Sequence, residues 1–148
     1  MFGVIKDLAK RSRKLSSSGI VKKILDNSGL QMDIVELNQE QMYDEGIDAK
    51  GQPLGEYAPM TLRHKLSPGP HDHRTDHVTL KDRGDLYNSM GLKNEETHFV
   101  ITGDMEKSST NLETIYPYAL GLTEKNIGVV RKWIRPIAIQ RIKEALLK

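Results

Sequence analysis

The chain has 148 residues, 37% of them apolar and 28% charged, with a net charge of +2, which is the composition of one ordinary globular domain. The absence of cysteine excludes disulfides, thiolate metal sites and a cysteine nucleophile. No apolar run approaches the roughly 18–20 residues that cross a bilayer, and the N-terminus lacks a signal-peptide core, so we expect cytoplasmic synthesis and no membrane contact.

Charge is distributed unevenly along the chain. Residues 1–23 hold seven Lys and Arg against one acid, and residues 124–148 hold seven against two. The segment between them holds eight Lys and Arg against seventeen acids, so the chain is basic at both ends and acidic in the middle. The two ends can therefore lie against an acidic surface of the same or a neighbouring copy, or present a basic face to nucleic acid. They can also simply be solvated amphipathic helices.

The first third of the chain is predicted to be helical. Apolar residues recur at helical spacing between residues 2 and 25, with a break or bend expected near Gly19. The same spacing returns between residues 32 and 42, together with several acids. Gly46 follows this second run and is placed to end the helix as its left-handed cap residue.

The next segment is predicted to consist mainly of loops. Residues 46–59 are dense in turn formers and predict a tight turn at 49–52. Thr61 can cap a short helix that ends before the Ser-Pro-Gly-Pro sequence at 67–70. Residues 71–77 have almost no apolar content and predict an exposed loop.

The second half of the chain mixes strand and helix signals. Gly84, or the aspartate after it, can cap a short helix. Residues 97–102 are β-branched and aromatic and form the clearest strand, which residues 90–92 can pair with across a hairpin. Residues 129–134 can be another strand, and Pro136 is placed as the first residue of a final helix.

These elements predict an α+β fold, in which a small antiparallel sheet packs with N-terminal and C-terminal helices and long loops stay exposed. We expect a single domain over residues 1–148. Within it, a basic helical segment at residues 1–28 precedes an α+β core at residues 29–148.

A set of landmarks follows residue 30 in a fixed order. They are the acidic helix ending at Tyr43, the loop Gly55-Glu56-Tyr57-Ala58-Pro59 with Thr61, the basic pair Arg63 and Lys65, the element Leu80-Lys81-Asp82-Arg83-Gly84-Asp85-Leu86-Tyr87-Asn88-Ser89, a strand pair, Tyr118-Ala119-Leu120-Gly121, and Arg131-Lys132-Trp133-Ile134 before a final helix. Their order and spacing resemble the virion-morphogenesis and tail-completion proteins of tailed bacteriophages, the small neck factors that join a finished tail to a filled head. The resemblance covers about residues 30–148.

The resemblance implies a structural component of the virion that is made in the bacterial cytoplasm and acts in head–tail joining at the portal end. It implies partners among other virion proteins, namely a portal or connector and a tail terminator or tail tube, and a homo-oligomeric ring. The resemblance also implies that the protein is not an enzyme and needs no cofactor.

Five residues receive structural or interface roles. Gly84 is expected to supply a tight turn, and Leu86 to anchor the short helix after it. Tyr57 is expected to pin a glycine-rich loop. Trp133 is expected to pack beneath a helix or an adjoining subunit, with Arg131 beside it in the interface.

A metal site is the sharpest alternative function. His71, His73 and His77 fall within seven residues together with two aspartates, and imidazole and carboxylate groups are suitable ligands for zinc, nickel or manganese. The Pro-Gly-Pro sequence before them makes a flexible segment, which would lose much conformational entropy on closing around an ion. We therefore expect an exposed polar loop and no metal.

Nucleic-acid binding is the other alternative. Lys6, Lys10, Arg11, Arg13 and Lys14 can line a helix face and contact phosphates, although no aromatic residues for base stacking accompany them. Non-specific contact with DNA passing through a portal channel would be compatible with a neck protein. A third hypothesis is that the chain is an adaptor unrelated to phage that docks its basic helix on an acidic surface. Hydrolytic chemistry is not favoured, because no serine lies in a glycine-flanked elbow.

Overall fold

In the computed structural model of the chain, the described residues are 17–95, 98–107 and 110–147. They form the expected α+β fold, in which two antiparallel hairpin sheets pack with helices from both ends of the chain. The helices are α1 (Ser17–Leu25), α2 (Ser28–Glu40), α3 (Pro59–Leu66), α4 (Asp85–Ser89), α5 (Leu112–Ile115) and α6 (Glu124–Leu147). None of the helices in these ranges has the length and apolar content needed to cross a membrane.

The two helices at the beginning of the described chain are separated by a short turn. α1 continues through Gly19, so the break expected there is not seen in the described residues. The chain turns instead after Leu25, and Asn27 caps α2 by accepting a hydrogen bond from the Leu30 amide at 3.0 Å. Ile34 is fully buried on the inner face of α2, as its helical spacing predicted.

A π-helical turn, Gln41–Glu45, extends α2 and ends at Gly46. Gly46 adopts the left-handed conformation (φ 64°), which confirms its predicted role as the cap residue. A Cβ atom at this position would also collide with the ring of His77. Gly46 is therefore required both for its backbone conformation and for the close approach of the residue 71–77 loop.

The loop before α3 contains the predicted turn. The Asp48 side chain accepts hydrogen bonds from the Lys50 and Gln52 amides, both at 2.9 Å. The prediction that Thr61 caps the next helix is wrong, because α3 begins two residues earlier at Pro59. Proline suits a first helical position, since its fixed φ is helical and its missing N–H would have no partner there.

The sheets are two short hairpins. β1 (Gly91–Asn94) pairs with β2 (Phe99–Thr102), with Gly91 opposite Thr102, which confirms the predicted hairpin. A second hairpin joins β3 (Glu106–Lys107) to β4 (Thr110–Asn111). This second pair was not predicted, because its residues are exposed and polar and show no apolar alternation.

The last helix differs most from expectation. Residues 129–134, predicted as a strand, lie inside α6, and so does Pro136, predicted as its first residue. The helix instead begins after Thr123, whose hydroxyl accepts a hydrogen bond from the Asn126 amide at 3.3 Å. Val130 and Ile134 are one helical turn apart and both pack on the core, so burial at helical spacing overrides the strand propensity of the β-branched residues.

The core has two neighbouring parts. The first contains the buried residues Met42, Leu54, Val78, Leu86, Tyr87, Met105 and Ala119. The second contains Leu25, Ile34, Ile101, Leu122 and Val130. Met90 and Leu120 pack against both parts, so the two parts of the core are joined.

Candidate interaction surfaces

The loop at residues 71–77 is held more firmly than its composition predicted. Five of its seven residues are at least partly buried, and only His73 and Asp76 are exposed. Lys65 on α3 provides the anchor: it is 2% exposed, and its Nζ donates to Asp72 Oδ2 at 3.1 Å and to the Lys81 carbonyl at 2.8 Å. The prediction of an exposed loop is wrong because a buried lysine satisfies the loop's charge.

Asp72 is the carboxylate at the centre of this anchor. The Tyr43 hydroxyl donates to its Oδ1 at 2.8 Å, and the Arg74 amide donates to its Oδ2 at 3.3 Å. Burial opposes ionisation of Asp72, but the hydrogen bonds from Tyr43 and Lys65 outweigh it and hold its pKa below the usual value. The same bond raises the pKa of Tyr43. The loop is thus fixed by a charged pair at neutral pH.

Tyr57, predicted to pin its own glycine-rich loop, is bonded to the segment that follows the 71–77 loop. Its hydroxyl accepts a hydrogen bond from the Thr79 amide at 2.8 Å and lies 2.9 Å from the Thr79 hydroxyl. The Tyr87 hydroxyl donates to the Thr79 carbonyl, and burial raises the pKa of Tyr87 well above its ordinary value. Two tyrosines therefore satisfy the polar groups of the fully buried Thr79.

The three histidines proposed as metal ligands are not brought together as a set. His77 Nε2 donates to the Tyr43 carbonyl at 2.7 Å, and His73 Nδ1 donates to the Lys65 carbonyl at 2.7 Å. The other nitrogen of each ring keeps its lone pair, so these two hydrogen bonds alone do not decide whether the rings bind a metal. His71 stacks on His64, with ring centroids 4.3 Å apart. Within the described ranges, no three His, Asp or Glu side chains are placed to hold a metal ion.

Gly84 and Leu86 have structural roles. Gly84 adopts a positive φ of 92° immediately before α4, in agreement with the tight turn expected there. Leu86 is 1% exposed and belongs to the first part of the core. Because both residues are buried, neither is available to contact a partner.

Two buried amides on one face of α2 and its π-turn hold residues 119–123. Asn38 donates to the Ala119 carbonyl at 3.0 Å and accepts from the Gly121 amide at 2.8 Å. Gln41 donates to the Gly121 carbonyl at 3.0 Å and accepts from the Thr123 amide at 3.0 Å. The sequence carried a signal for this arrangement that was not used, namely two amides one turn apart on an otherwise apolar helix face.

An open groove of about 840 Å³ lies between α1, β2 and α6. Its lining is mainly apolar and includes Val21, Leu25, Phe99, Ile101, Ile134 and Ala138. Lys22, Arg131 and Arg135 also line it, with Glu95 as the acidic residue among them. Arg131, predicted to be an interface residue, is thus placed at this surface, which is named the apolar groove below.

Trp133 lies on a different face of α6. It is 36% exposed, so no helix of the described residues covers it fully, and its packing beneath an adjoining subunit stays a prediction. With Ile24, Leu30 and Ile137 it lines a smaller cleft of about 490 Å³.

Two helices that carry basic residues lie side by side, because α1 packs directly on α6. The cations that the two helices bring together, all exposed, are Lys22, Lys23, Lys125, Arg131, Lys132, Arg135, Arg141 and Lys143. No ion pair joins any of them to another residue of the part of the chain that the structure describes. The earlier cations proposed to contact DNA, Lys6, Lys10, Arg11, Arg13 and Lys14, lie outside the described residues.

Comparison with known proteins identified no relative of the chain. No protein-family model matches the chain, and neither a curated protein nor a solved structure matches it. Support for a function therefore comes from the chemistry of the surfaces described above and from the order of the sequence landmarks.

Proposed function

We propose that the chain is a structural component of a tailed-phage particle, a neck or tail-completion protein that joins head and tail at the portal end. The buried polar side chains support this role, because they bond to the backbone of loops. Asn38, Gln41, Lys65 and Thr79 are buried, and each bonds backbone groups of a loop. These residues maintain the shape of the molecule, while apolar and cationic groups remain at the surface for contact with partners.

One observation carries the proposal, namely that three exposed cations of α1 and α6, Lys22, Arg131 and Arg135, line the apolar groove. A protein that works by contact gains affinity from exposed apolar area and orientation from charge. The order of the landmarks after residue 30 points to the neck as the place of contact. The expected partners are a portal or connector, a tail terminator or tail tube, and further copies of the chain in a ring.

The proposed role predicts the phenotype of a phage that cannot make this chain. We expect its lysate to contain filled heads and finished tails that are not joined, because each is assembled independently of the neck. Adding the purified chain to that lysate should yield joined, infectious particles, which electron microscopy and plaque counts would measure. A lysate of complete particles, or of empty heads alone, would contradict the proposal.

DNA contact is a second candidate function, favoured by the exposed cations of α1 and α6. Eight cations without ion pairs in the described ranges form a surface that phosphates can neutralise. Binding of this kind releases counterions from the DNA and weakens steeply as salt is added. It would be independent of base sequence, since the two helices carry no recognition motif.

The DNA candidate predicts a measurable salt dependence. Replacing Lys22 and Lys23 by serine should reduce the slope of log K against log salt by about 2, because two phosphate contacts are lost. The matched control is Arg63→Ser, which removes an exposed cation from α3. Fluorescence anisotropy with a labelled DNA duplex measures the salt dependence of binding for the Lys22 and Lys23 variant and for the control. An absence of association at low ionic strength would eliminate this candidate.

A further inference from the structure

We propose that the apolar groove binds a segment of another protein in which bulky aliphatic side chains are flanked by carboxylates. This inference goes beyond the role in head–tail joining and does not depend on it. It rests on three features of the described chain, namely the apolar lining of the groove, the charges around it and the charge of the segments that compete for it.

The lining gives the groove its affinity for aliphatic side chains. Leu25 and Ile101 are 3% and 5% exposed and form the floor, where the groove meets the second part of the core. Val100 on β2 is 40% exposed and stands at the side. Covering this surface removes apolar area from water, which contributes about 25 cal/mol for each Å² buried.

The charges select the kind of partner. Lys22, Arg131 and Arg135 line the groove beside its apolar residues, and Glu95 is the acidic residue among the described residues that line it. All three cations are exposed, and Arg131 and Arg135 lie one turn apart on α6. A segment with carboxylates beside its apolar residues meets complementary charge, whereas a basic segment meets like charge and is repelled.

Two segments of the chain itself fit poorly. Residues 1–16 contain five Lys and Arg against one Asp, so their charge has the same sign as that around the groove. The exposed apolar residues of α6, such as Ile137 and Ile139, would bring Arg141 and Lys143 of a second copy with them. A separate acidic partner avoids both repulsions.

The test uses the full chain and two short synthetic peptides with the same leucine pattern, one carrying glutamates between the leucines and the other lysines. We expect the glutamate peptide to bind about tenfold more tightly or better, measured by fluorescence anisotropy. The double variant Arg131→Ser, Arg135→Ser should lose most of this preference. Ala138→Phe, which fills the groove, should lose the binding of both peptides.

A matched control separates the groove from general charge. Lys132→Ser with Lys143→Ser removes the same charge from the same helix outside the groove, and should bind the glutamate peptide as the unaltered chain does. Circular dichroism checks that each variant is folded. Equal binding of the two peptides, no binding of either, or equal loss in the control variant would overturn the proposal.

Two further outcomes would assign the groove to another occupant and equally overturn the proposal. Self-association of the unaltered chain that Ala138→Phe abolishes would identify a second copy in the groove, which analytical ultracentrifugation would detect. Peptide binding that appears only after removal of residues 1–16 would identify the beginning of the chain as the occupant. The proposal survives only if the unaltered full chain binds the acidic peptide.

Discussion

Replacing Lys65 by methionine is expected to lower the free energy of unfolding by about 3–5 kcal/mol. The methionine fills a similar volume, but it leaves the Asp72 carboxylate nearly buried without its cation. It also removes the hydrogen bond to the Lys81 carbonyl, which is left without that partner. Urea unfolding followed by circular dichroism measures the change.

Two variants make the Lys65 prediction specific. Lys65→Met combined with Asp72→Asn removes both charges, and should be more stable than the sum of the two single changes allows. Lys93→Met breaks an ion pair with Glu95 that is largely exposed, and should change stability by less than about 1 kcal/mol. A loss at Lys65 no larger than the loss at Lys93 would show that the buried pair does not hold the loop.

The same pair predicts how stability depends on pH. Because the folded pKa of Asp72 lies below its usual value of 3.8, its ionised form stabilises the fold fully above that value. The contribution is lost as the pH falls through the lower, folded pKa. Asp72→Asn should therefore be less stable than the unaltered chain near neutral pH, and the difference should shrink in acid. A difference that stays constant down to the acid transition would refute this.

Replacing Asn38 by leucine is expected to cause the second large decrease in the free energy of unfolding. It leaves the Ala119 carbonyl and the Gly121 amide without their buried partner, at a cost of about 1–3 kcal/mol for each group. Leucine has the branching of asparagine but a larger volume, so no cavity is left, and the loss reflects the unpartnered polar groups together with overpacking. Hydrogen exchange at the Gly121 amide should accelerate, while exchange in β1 and β2 should change only with global stability.

The control for the Asn38 prediction is Gln140→Leu on α6. Gln140 donates a hydrogen bond to Glu144 at 3.0 Å, but this bond is exposed, so water replaces it at little cost. We expect a change within about 0.5 kcal/mol in urea unfolding. If the two substitutions cost the same, the buried amides do not clamp residues 119–123.

The fold class was predictable because each signal was local and strong. Gly46 marks the end of a periodic helix, and residues 99–102 carry the β-branched and aromatic residues of a paired strand. The error at residues 129–134 arose where local propensity and long-range burial disagree. Val130 is a β-branched residue that favours a strand. The core that it contacts lies on one side of a continuous helix, so tertiary packing determines the helical conformation here.

The candidate surfaces were less predictable, because they depend on residues distant in sequence. Arg131 was selected from the sequence, but its position beside the apolar groove requires α1 to pack on α6, which no local pattern specifies. Lys65 was selected only as half of a basic pair with the exposed Arg63, and nothing in its neighbourhood marked it as buried. Its partner Asp72 lies in a separate, irregular segment.

The convergence of α1 and α6 makes the molecule electrically lopsided. α1 and α6 together carry eight exposed cations, whereas the middle of the sequence has an excess of acids. Such a molecule has a permanent dipole, and the field of an approaching polyanion turns it before the two surfaces touch. Its association rate with a negatively charged assembly should then fall as ionic strength rises, even where the final contact is mostly apolar.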